Sequence, residues 1–461
     1  MKEIKCLSAT GQLGHGIIAD AFRRGVERSP DVIGADMGST DIGPYYLGSG
    51  NTESSIDMID RNLELVVVAG PQMGVPVIIG SAGSSGALPH IEKTLAALSR
   101  VAKQRSLSFS MATITADIGK DYVKRRIREG HVEPCGPLAQ LTEEKVDRAA
   151  RIVGQMGTEP FLAALKDKPD VIIAGRSCDA SVFAAKPIAE GFDPGLSMHA
   201  AKIIECASFA ADPGGRDAML ATIRGDHFEL ESMNPNRRCT PVSVAAHSLY
   251  EQPNPFEVVE PGGKLDLSLS RYEALDERRT RVSGSKWVTN PKYTIKLEGV
   301  ESIGFRCFSL GAIRCPIAIG QMDDVLAGVE EITRGIVNDK YSPKDYRLKY
   351  RVYGHNGVMQ SLEVNRNFVP NEVFVITDVV ARTQQIADGV CSVARYYLLH
   401  YFYKDILATA GNVAVPFVPC DISVGETYEF SIYHLVAEPD PLALFPIRHS
   451  DVRNGEITWL D

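Results

Sequence analysis

The sequence predicts an α/β protein with a Rossmann-like N-terminal domain and a ferredoxin-like α+β C-terminal domain. Its 461 residues exceed what one hydrophobic core usually holds. Apolar strand-like runs alternate with helical spacing over residues 1–235. Residues 301–461 instead carry the order βαββαβ, which is typical of a ferredoxin-like unit. Between them, residues 236–300 are rich in Pro and Gly and predict a β-rich connecting segment.

The N-terminal strands are short apolar runs that end in loops rich in Gly, Ser and Asp. Because β-branched residues occupy both faces of these runs, the strands are expected in a buried parallel sheet covered by helices. The predicted strands are Ile4–Ala9, Asp31–Met37, Val75–Ile79, Leu107–Ile114 and Asp170–Ala174.

The C-terminal domain follows from four strand patterns and two helical ones. The strands are expected at residues 302–313, 346–353, 373–380 and 428–436. The helices are expected at residues 323–337 and 384–403.

Composition narrows the functional classes. Hydrophobic residues make up 44% and charged residues 23% of the chain, and the net charge is −9 without a dense Lys/Arg block, which argues against nucleic-acid binding. The nine cysteines lack C-x-x-C spacing, so we expect reduced thiols and predict no metal site. No signal peptide and no apolar run of about 18 residues is found, so the chain is predicted to be cytoplasmic and not bound to membranes.

The loop Gly80–Gly86 is the first candidate binding site, because ligands of open parallel sheets bind outside the carboxyl ends of the strands. Its amides and the following helix N-terminus suit an anionic group, so Gly80, Ser81, Gly83 and Ser84 are predicted to bind substrate. The alternative is a tight strand-to-helix turn. The loop matches neither a P-loop nor G-x-G-x-x-G, so a nicotinamide cofactor is not favoured and the cofactor is left unknown.

Charged residues near other strand ends extend the predicted substrate site. Arg176 follows the fifth strand and suits bidentate capture of a carboxylate, although a surface ion pair is the alternative. Asp179 is either a ligand contact or a helix cap. Lys296 shares a strand face with Glu298, and Arg314 follows a strand end. Lys296 and Arg314 are therefore added to the substrate-binding residues.

The predicted catalytic residues are Glu205, His247, Tyr250 and Glu251. Glu205 lies in an apolar run, where a carboxylate either faces a cleft or is costly to bury. His247 and Tyr250 can both transfer protons, and Glu251 could orient either one.

Several motifs together resemble the acyclic terpene utilisation AtuA family. They are Ile79-Gly80-Ser81-Ala82-Gly83, Ile173-Ala174-Gly175-Arg176, Asp179-Ala180-Ser181, Ile204-Glu205-Cys206, His247-Ser248-Leu249-Tyr250-Glu251, Pro261-Gly262-Gly263-Lys264-Leu265-Asp266 and Lys296-Leu297-Glu298-Gly299. The resemblance implies catabolism of branched or unsaturated carboxylic acids or their thioesters, often with a small partner polypeptide.

The leading functional hypothesis is a hydratase or dehydratase, a lyase that adds or removes water beside a carboxylate or CoA thioester. In it, Glu205 or His247 is the base, Tyr250 the acid and Arg176 the carboxylate clamp. The alternatives are an acyl-CoA hydrolase, transferase or isomerase, or a non-catalytic subunit that needs a partner. A homo-oligomer is also expected.

Overall fold

A computed structural model of the chain describes residues 2–250, 252–365 and 367–460. The chain forms two units: unit 1 comprises Met1–Val300 and Phe430–Asp461, and unit 2 comprises Glu301–Glu429. The fold is mixed α/β, as predicted.

The strands are β1 Ile4–Ser8, β2 Val32–Asp36, β3 Val77–Gly80, β4 Ser108–Ile114, β5 Val132–Pro134, β6 Ala149–Gln155, β7 Val171–Ala174, β8 Met219–Ile223, β9 His227–Ser232, β10 Glu257–Glu260, β11 Gly263–Asp266, β12 Arg271–Ala274, β13 Thr280–Ser283, β14 Lys286–Thr289, β15 Thr294–Ile313, β16 Tyr346–Tyr353, β17 Val373–Ala381, β18 Asp421–Ala437, β19 Ile447–Arg453 and β20 Glu456–Trp459.

The α-helices are α1 Ala19–Glu27, α2 Tyr45–Ser49, α3 Ile56–Met73, α4 Leu88–Arg105, α5 Lys120–Arg128, α6 Glu143–Arg148, α7 Glu159–Leu165, α8 Asp179–Ala189, α9 Pro194–Ile204, α10 Pro241–Ser248, α11 Pro316–Ile319, α12 Met322–Val337 and α13 Gln384–His400. Short 3-10 helices cover Ala207–Ala210 and Gln360–Leu362.

Unit 1 is organised around a sheet whose parallel centre has the order β1-β2-β3-β7-β4. These are the five strands that the apolar runs predict, within a few residues at each end. All residues of β2, β3 and β7 are buried, because helices pack on both faces of the sheet. Side chains of α1, α3 and α4 join the core on one face, and those of α8 and α9 join the core on the other.

Antiparallel strands extend this sheet on both sides, which the sequence did not predict. The full order is β12-β13-β9-β8-β1-β2-β3-β7-β4-β19-β20. The predicted list of strands stopped near residue 436, yet β19 pairs with β4 over seven residues. Burial in β19 alternates imperfectly, and only Ser450 and Val452 are fully buried, so its hydrophobic signal is weak. A separate small sheet in unit 1 has the order β10-β11-β14.

Unit 2 contains an antiparallel sheet with two long helices. Its strands are neighbours in the order β16-β17-β15-β18, and β17 is antiparallel to both β15 and β16. Apolar side chains of α12 and α13 pack with those of the sheet. Within the described part of both units, no helix is both long enough and apolar enough to cross a membrane.

The loop that contains Gly86 contacts the loop after β7 through its backbone. Substitution of Gly86 therefore tests how closely these two loops pack. A Cβ on Gly86 would overlap the backbone of Arg176, whereas one on Gly74 would meet open space, and both glycines have positive φ, 64° and 68°. We expect Gly74→Ala to cost about 1 kcal/mol from backbone strain alone. Gly86→Ala should cost at least about 2 kcal/mol more because the loops must separate. Chemical denaturation of both variants checks this, and equal losses would contradict it.

Candidate functional site

The carboxyl ends of three neighbouring parallel strands bring polar loops together. Asp36 ends β2, Gly80 ends β3, and Arg176 and Asp179 follow β7. The amide of Ser81 donates to the carbonyl of Gly175 at 3.1 Å, and the amide of Arg176 donates to the carbonyl of Gly86 at 3.1 Å. The loops after β3 and β7 are therefore fixed to each other by backbone hydrogen bonds.

Arg176 forms a buried ion pair with Glu298. Its Nε and Nη2 donate to the Glu298 carboxylate at 2.7 and 3.3 Å, and both side chains are almost fully buried. Nη1 donates to the Ser177 carbonyl at 2.8 Å and to Ser81 Oγ at 3.3 Å. Arg176 is only 2% exposed, and its guanidinium binds the carboxylate of Glu298 in place of the substrate carboxylate that was predicted. The pair is also not the surface ion pair that was the alternative.

Lys296 adds a second cation to this pair. Its Nζ lies 2.9 Å from Glu298 Oε1 and 3.3 Å from the Tyr433 hydroxyl, over the ring of that tyrosine. Burial alone would raise the pKa of Glu298, but Arg176 and Lys296 outweigh burial and lower the pKa to about 2. Glu298 is therefore ionised at neutral pH, and the Lys296 side chain that pairs with it is 20% exposed.

Glu205 lies at the end of α9, where it is nearly buried and paired with Lys202. Lys202 Nζ donates to Glu205 Oε1 at 2.6 Å. Burial raises the pKa of Glu205 to about 8, with Asp179 and Glu260 adding to the rise and Lys202 opposing it. A carboxyl with this pKa can exchange a proton near neutral pH, which is the property expected of a general acid or base.

Three more carboxyl groups influence the same site. Burial raises the pKa of Asp36 well above its usual value, and burial also raises those of Asp179 and Glu260. Asp179 raises the pKa values of both Asp36 and Glu260, so its carboxyl group interacts electrostatically with each of the other two. The Asp179 side chain is 35% exposed and lies 3.5 Å from Arg176 Nη1. The N-cap position of α8 belongs to Cys178, so Asp179 is not the predicted cap.

His247 and Tyr250 lie beside this group. Their rings are 4.9 Å apart between centroids, and the Tyr250 hydroxyl lies 3.8 Å from Cys206 Sγ. Burial lowers the pKa of His247 to about 4, and Lys202 contributes to that shift. His247 is thus neutral at pH 7. Cys178 donates to Glu260 at 2.6 Å, and burial raises the pKa of its thiol far above the usual value.

The glycine-rich loop differs from the predicted anion cradle. Four successive backbone amides, those of residues 81–84, each donate to an acceptor within the protein. These four amides are therefore engaged within the protein, as in the tight turn that was the alternative interpretation. The amide acceptors are the carbonyls of Gly175, Ala174 and Ser81, and the sulfur of Met37 for Gly83.

Two of the predicted site residues are not among the residues that form these contacts. Arg314 follows β15 in unit 2, where it is exposed, and it makes none of the contacts given above. Glu251 lies outside the described residues. Among the residues with described positions, no group of three or more His, Cys, Asp or Glu is arranged to hold a metal ion.

Sequence reasoning missed Glu260 as a site residue and gave Glu298 only a pairing role. Glu260 ends β10 immediately before Pro261-Gly262-Gly263, a turn that was noted only as a motif. The alternation of Lys296 and Glu298 along β15 did signal their contact. Nothing local signalled that Arg176 would be their third member.

The buried ion pair predicts an asymmetric mutational pattern. Arg176→Gln should destabilise unit 1 by about 3–5 kcal/mol, because it leaves the Glu298 carboxylate buried without its main partner. The double variant Arg176→Met/Glu298→Leu should recover part of that loss. Arg23→Gln, in an exposed pair with Asp20, should change stability by less than about 0.5 kcal/mol. Urea denaturation measures all three, and a harmless Arg176→Gln would contradict the assignment.

Comparison with known proteins adds one match. A family model described as acyclic terpene utilisation family protein AtuA matches residues 61–223. The matched segment contains Gly80, Arg176 and Glu205, whereas His247 and Glu298 lie beyond it. Neither the curated proteins nor the solved structures gave a match. The match confirms the family resemblance that the motifs indicated, and residues 61–223 of this chain are similar to the acyclic terpene utilisation family AtuA.

Proposed function

We propose that this protein is a hydro-lyase of acyclic terpene utilisation, acting on a small branched or unsaturated carboxylic acid or its CoA thioester. The family description supplies the metabolic context. The observation that carries the proposal is Glu205, a buried carboxyl with a pKa of about 8, paired with Lys202 among further carboxyl groups. Addition or removal of water beside a carbonyl needs a group that exchanges protons near neutral pH.

The two proton-transfer roles follow from the protonation states. In the dehydration direction, neutral His247 takes the proton from the carbon next to the carbonyl. Protonated Glu205 gives its proton to the leaving hydroxyl group, the carbon–oxygen bond breaks, and the products are water and a carbon–carbon double bond. Hydration is the reverse. Tyr250 is a second candidate acid because its ring packs against His247.

Substrate binding is assigned to the side chains that reach solvent. Lys296 replaces Arg176 as the proposed partner of the substrate carboxylate or thioester carbonyl, because its side chain is 20% exposed whereas that of Arg176 is only 3% exposed. Asp179, whose side chain is 35% exposed, is the second residue assigned to substrate binding. The raised pKa of the Cys178 thiol speaks against thiolate-based acyl transfer, which favours the lyase over that alternative.

The remaining interpretations are proposals of the same kind. The parallel centre of unit 1 supports a Rossmann-like domain, and the neighbour order in unit 2 supports a ferredoxin-like one. We also propose a cytoplasmic location, a homo-oligomer and a small partner subunit. Unit 2 would supply the surface for that subunit, because it exposes large apolar residues such as Val364 and Val369.

Replacement of Glu205 tests the reaction. Glu205→Gln keeps the shape of the side chain but can neither donate nor accept a carboxylic proton, so hydration of branched 2-enoic acids or their CoA thioesters should fall by at least about 100-fold. Glu144→Gln, on an exposed side chain, should leave turnover unchanged. Circular dichroism should show both variants folded. Undiminished turnover in Glu205→Gln would remove Glu205 from the reaction, and an inactive parent would remove the reaction itself.

The pH dependence of the rate tests the assignment of acid and base. kcat/KM should fall as pH rises through about 8, because Glu205 then loses the proton it donates. It should also fall as pH drops through about 4, because His247 then carries a proton and cannot accept one. Any residual activity of Glu205→Gln should lack the alkaline decline. A parent rate that increases through pH 8 would instead make Glu205 the base.

A further inference from the structure

Besides Ser85 Oγ and Asp179 Oδ1, three buried side-chain oxygens near the ends of β2, β3 and β7 have no hydrogen-bond partner within the described residues. They are Asp36 Oδ1, Ser84 Oγ and Ser177 Oγ. These residues are 5%, 1% and 0% exposed. Buried polar groups in folded proteins are almost always paired, so a set of unpaired oxygens at one sheet edge points to a bound polar group.

Two of these oxygens, Ser177 Oγ and Asp36 Oδ1, lie beside Gly80, where β3 ends. A Cβ on Gly80 would lie 2.6 Å from Ser177 Oγ and 3.6 Å from Asp36 Oδ1. The other Asp36 oxygen accepts from the amide of Gly38 at 2.8 Å, and a Cβ on Gly38 would lie 3.2 Å from the Cα of Ser84. We call the space bordered by Asp36, Ser84 and Ser177 the Asp36 recess.

Ser84 provides an independent observation. Its φ is +107°, a region that favours glycine and that L side chains rarely adopt. A serine in this position stores strain while burying a hydroxyl that no described group satisfies. Strained residues of this kind concentrate at ligand sites, where binding of the side chain compensates for the strain.

The surrounding charges select a neutral ligand group. The carboxyl groups of Asp179 and Glu205 both raise the pKa of Asp36. The guanidinium of Arg176, which lowers that pKa, is already paired with Glu298. A carboxylate or phosphate in the recess would therefore face carboxyl groups without a free cation. A hydroxyl group fits, because it can both donate to and accept from serine and aspartic acid side chains.

We propose that the Asp36 recess binds the hydroxyl group that is added to or removed from the substrate. The proposal rests on the proposed function and makes the preferred ligand a hydroxylated short-chain acid. Ser84 and Ser177 are binding residues in it, and Asp36 positions the hydroxyl beside Glu205.

The test compares two probes that differ by one hydroxyl group, 3-hydroxy-3-methylbutanoate and 3-methylbutanoate, each as free acid and CoA thioester. Calorimetric titration of the full chain should give the hydroxylated member of one pair an affinity about tenfold higher, as expected for gained hydrogen bonds in a buried site. Ser84→Gly and Ser177→Ala should each reduce this preference to near unity. Ser106→Gly, at an exposed serine with φ of 52°, should keep it.

The outcomes distinguish failure of the proposed hydroxyl-binding site from failure of the proposed hydro-lyase reaction. Glu205→Gln should keep the preference although it stops turnover, and a parent that prefers the hydroxylated probe without turning it over would overturn the lyase but support the recess. Equal affinity for both members of each pair, absence of binding by all four probes, or an unchanged preference in both recess variants would overturn the recess. Ser84→Gly should raise the melting temperature, which shows that its loss of preference does not come from unfolding.

Discussion

The buried pair of Arg176 and Glu298 is the interaction on which the site depends. It joins the loop after β7 to a strand that lies more than a hundred residues later in the chain. Because both charges are removed from water, loss of either one would leave the other buried without a partner. The loop that carries Arg176 is therefore held against the strand that carries Glu298. The hydroxyl of Ser81 and the carbonyl of Ser177 complete the coordination of the guanidinium. The loop after β3 is thereby fixed as well.

Because Arg176 and Glu298 neutralise each other, the remaining ionisable groups of the site are mainly carboxyl groups with two lysines. Asp36, Asp179, Glu205 and Glu260 share their surroundings with Lys202 and Lys296, and all four carboxyl groups have raised pKa values. The site therefore holds protons at a pH where isolated carboxyl groups have lost them. Acid–base chemistry is the use that this arrangement suits best.

Much of the parallel sheet could be predicted, because its strands are continuous apolar runs and the ends of parallel strands meet at one edge. That rule also predicted that Arg176 lies near the loop Gly80–Gly86. The function of Arg176 could not be predicted, because its partner Glu298 lies on a strand whose position depends on tertiary packing. The amides of the glycine-rich loop could not be assigned either, since glycine spacing does not tell whether an amide faces a ligand or a neighbouring carbonyl. The strands β19 and β20 were missed because their burial alternates weakly.

The pairing of β4 with β19 has a consequence for biosynthesis. A ribosome delivers β4 more than three hundred residues before β19, the strand that covers its outer edge. Until then, the nascent chain carries an open edge next to a hydrophobic core, which invites pairing with other chains. Chaperone capture during synthesis, or slow elongation through the intervening segment, would thus influence the yield of native molecules.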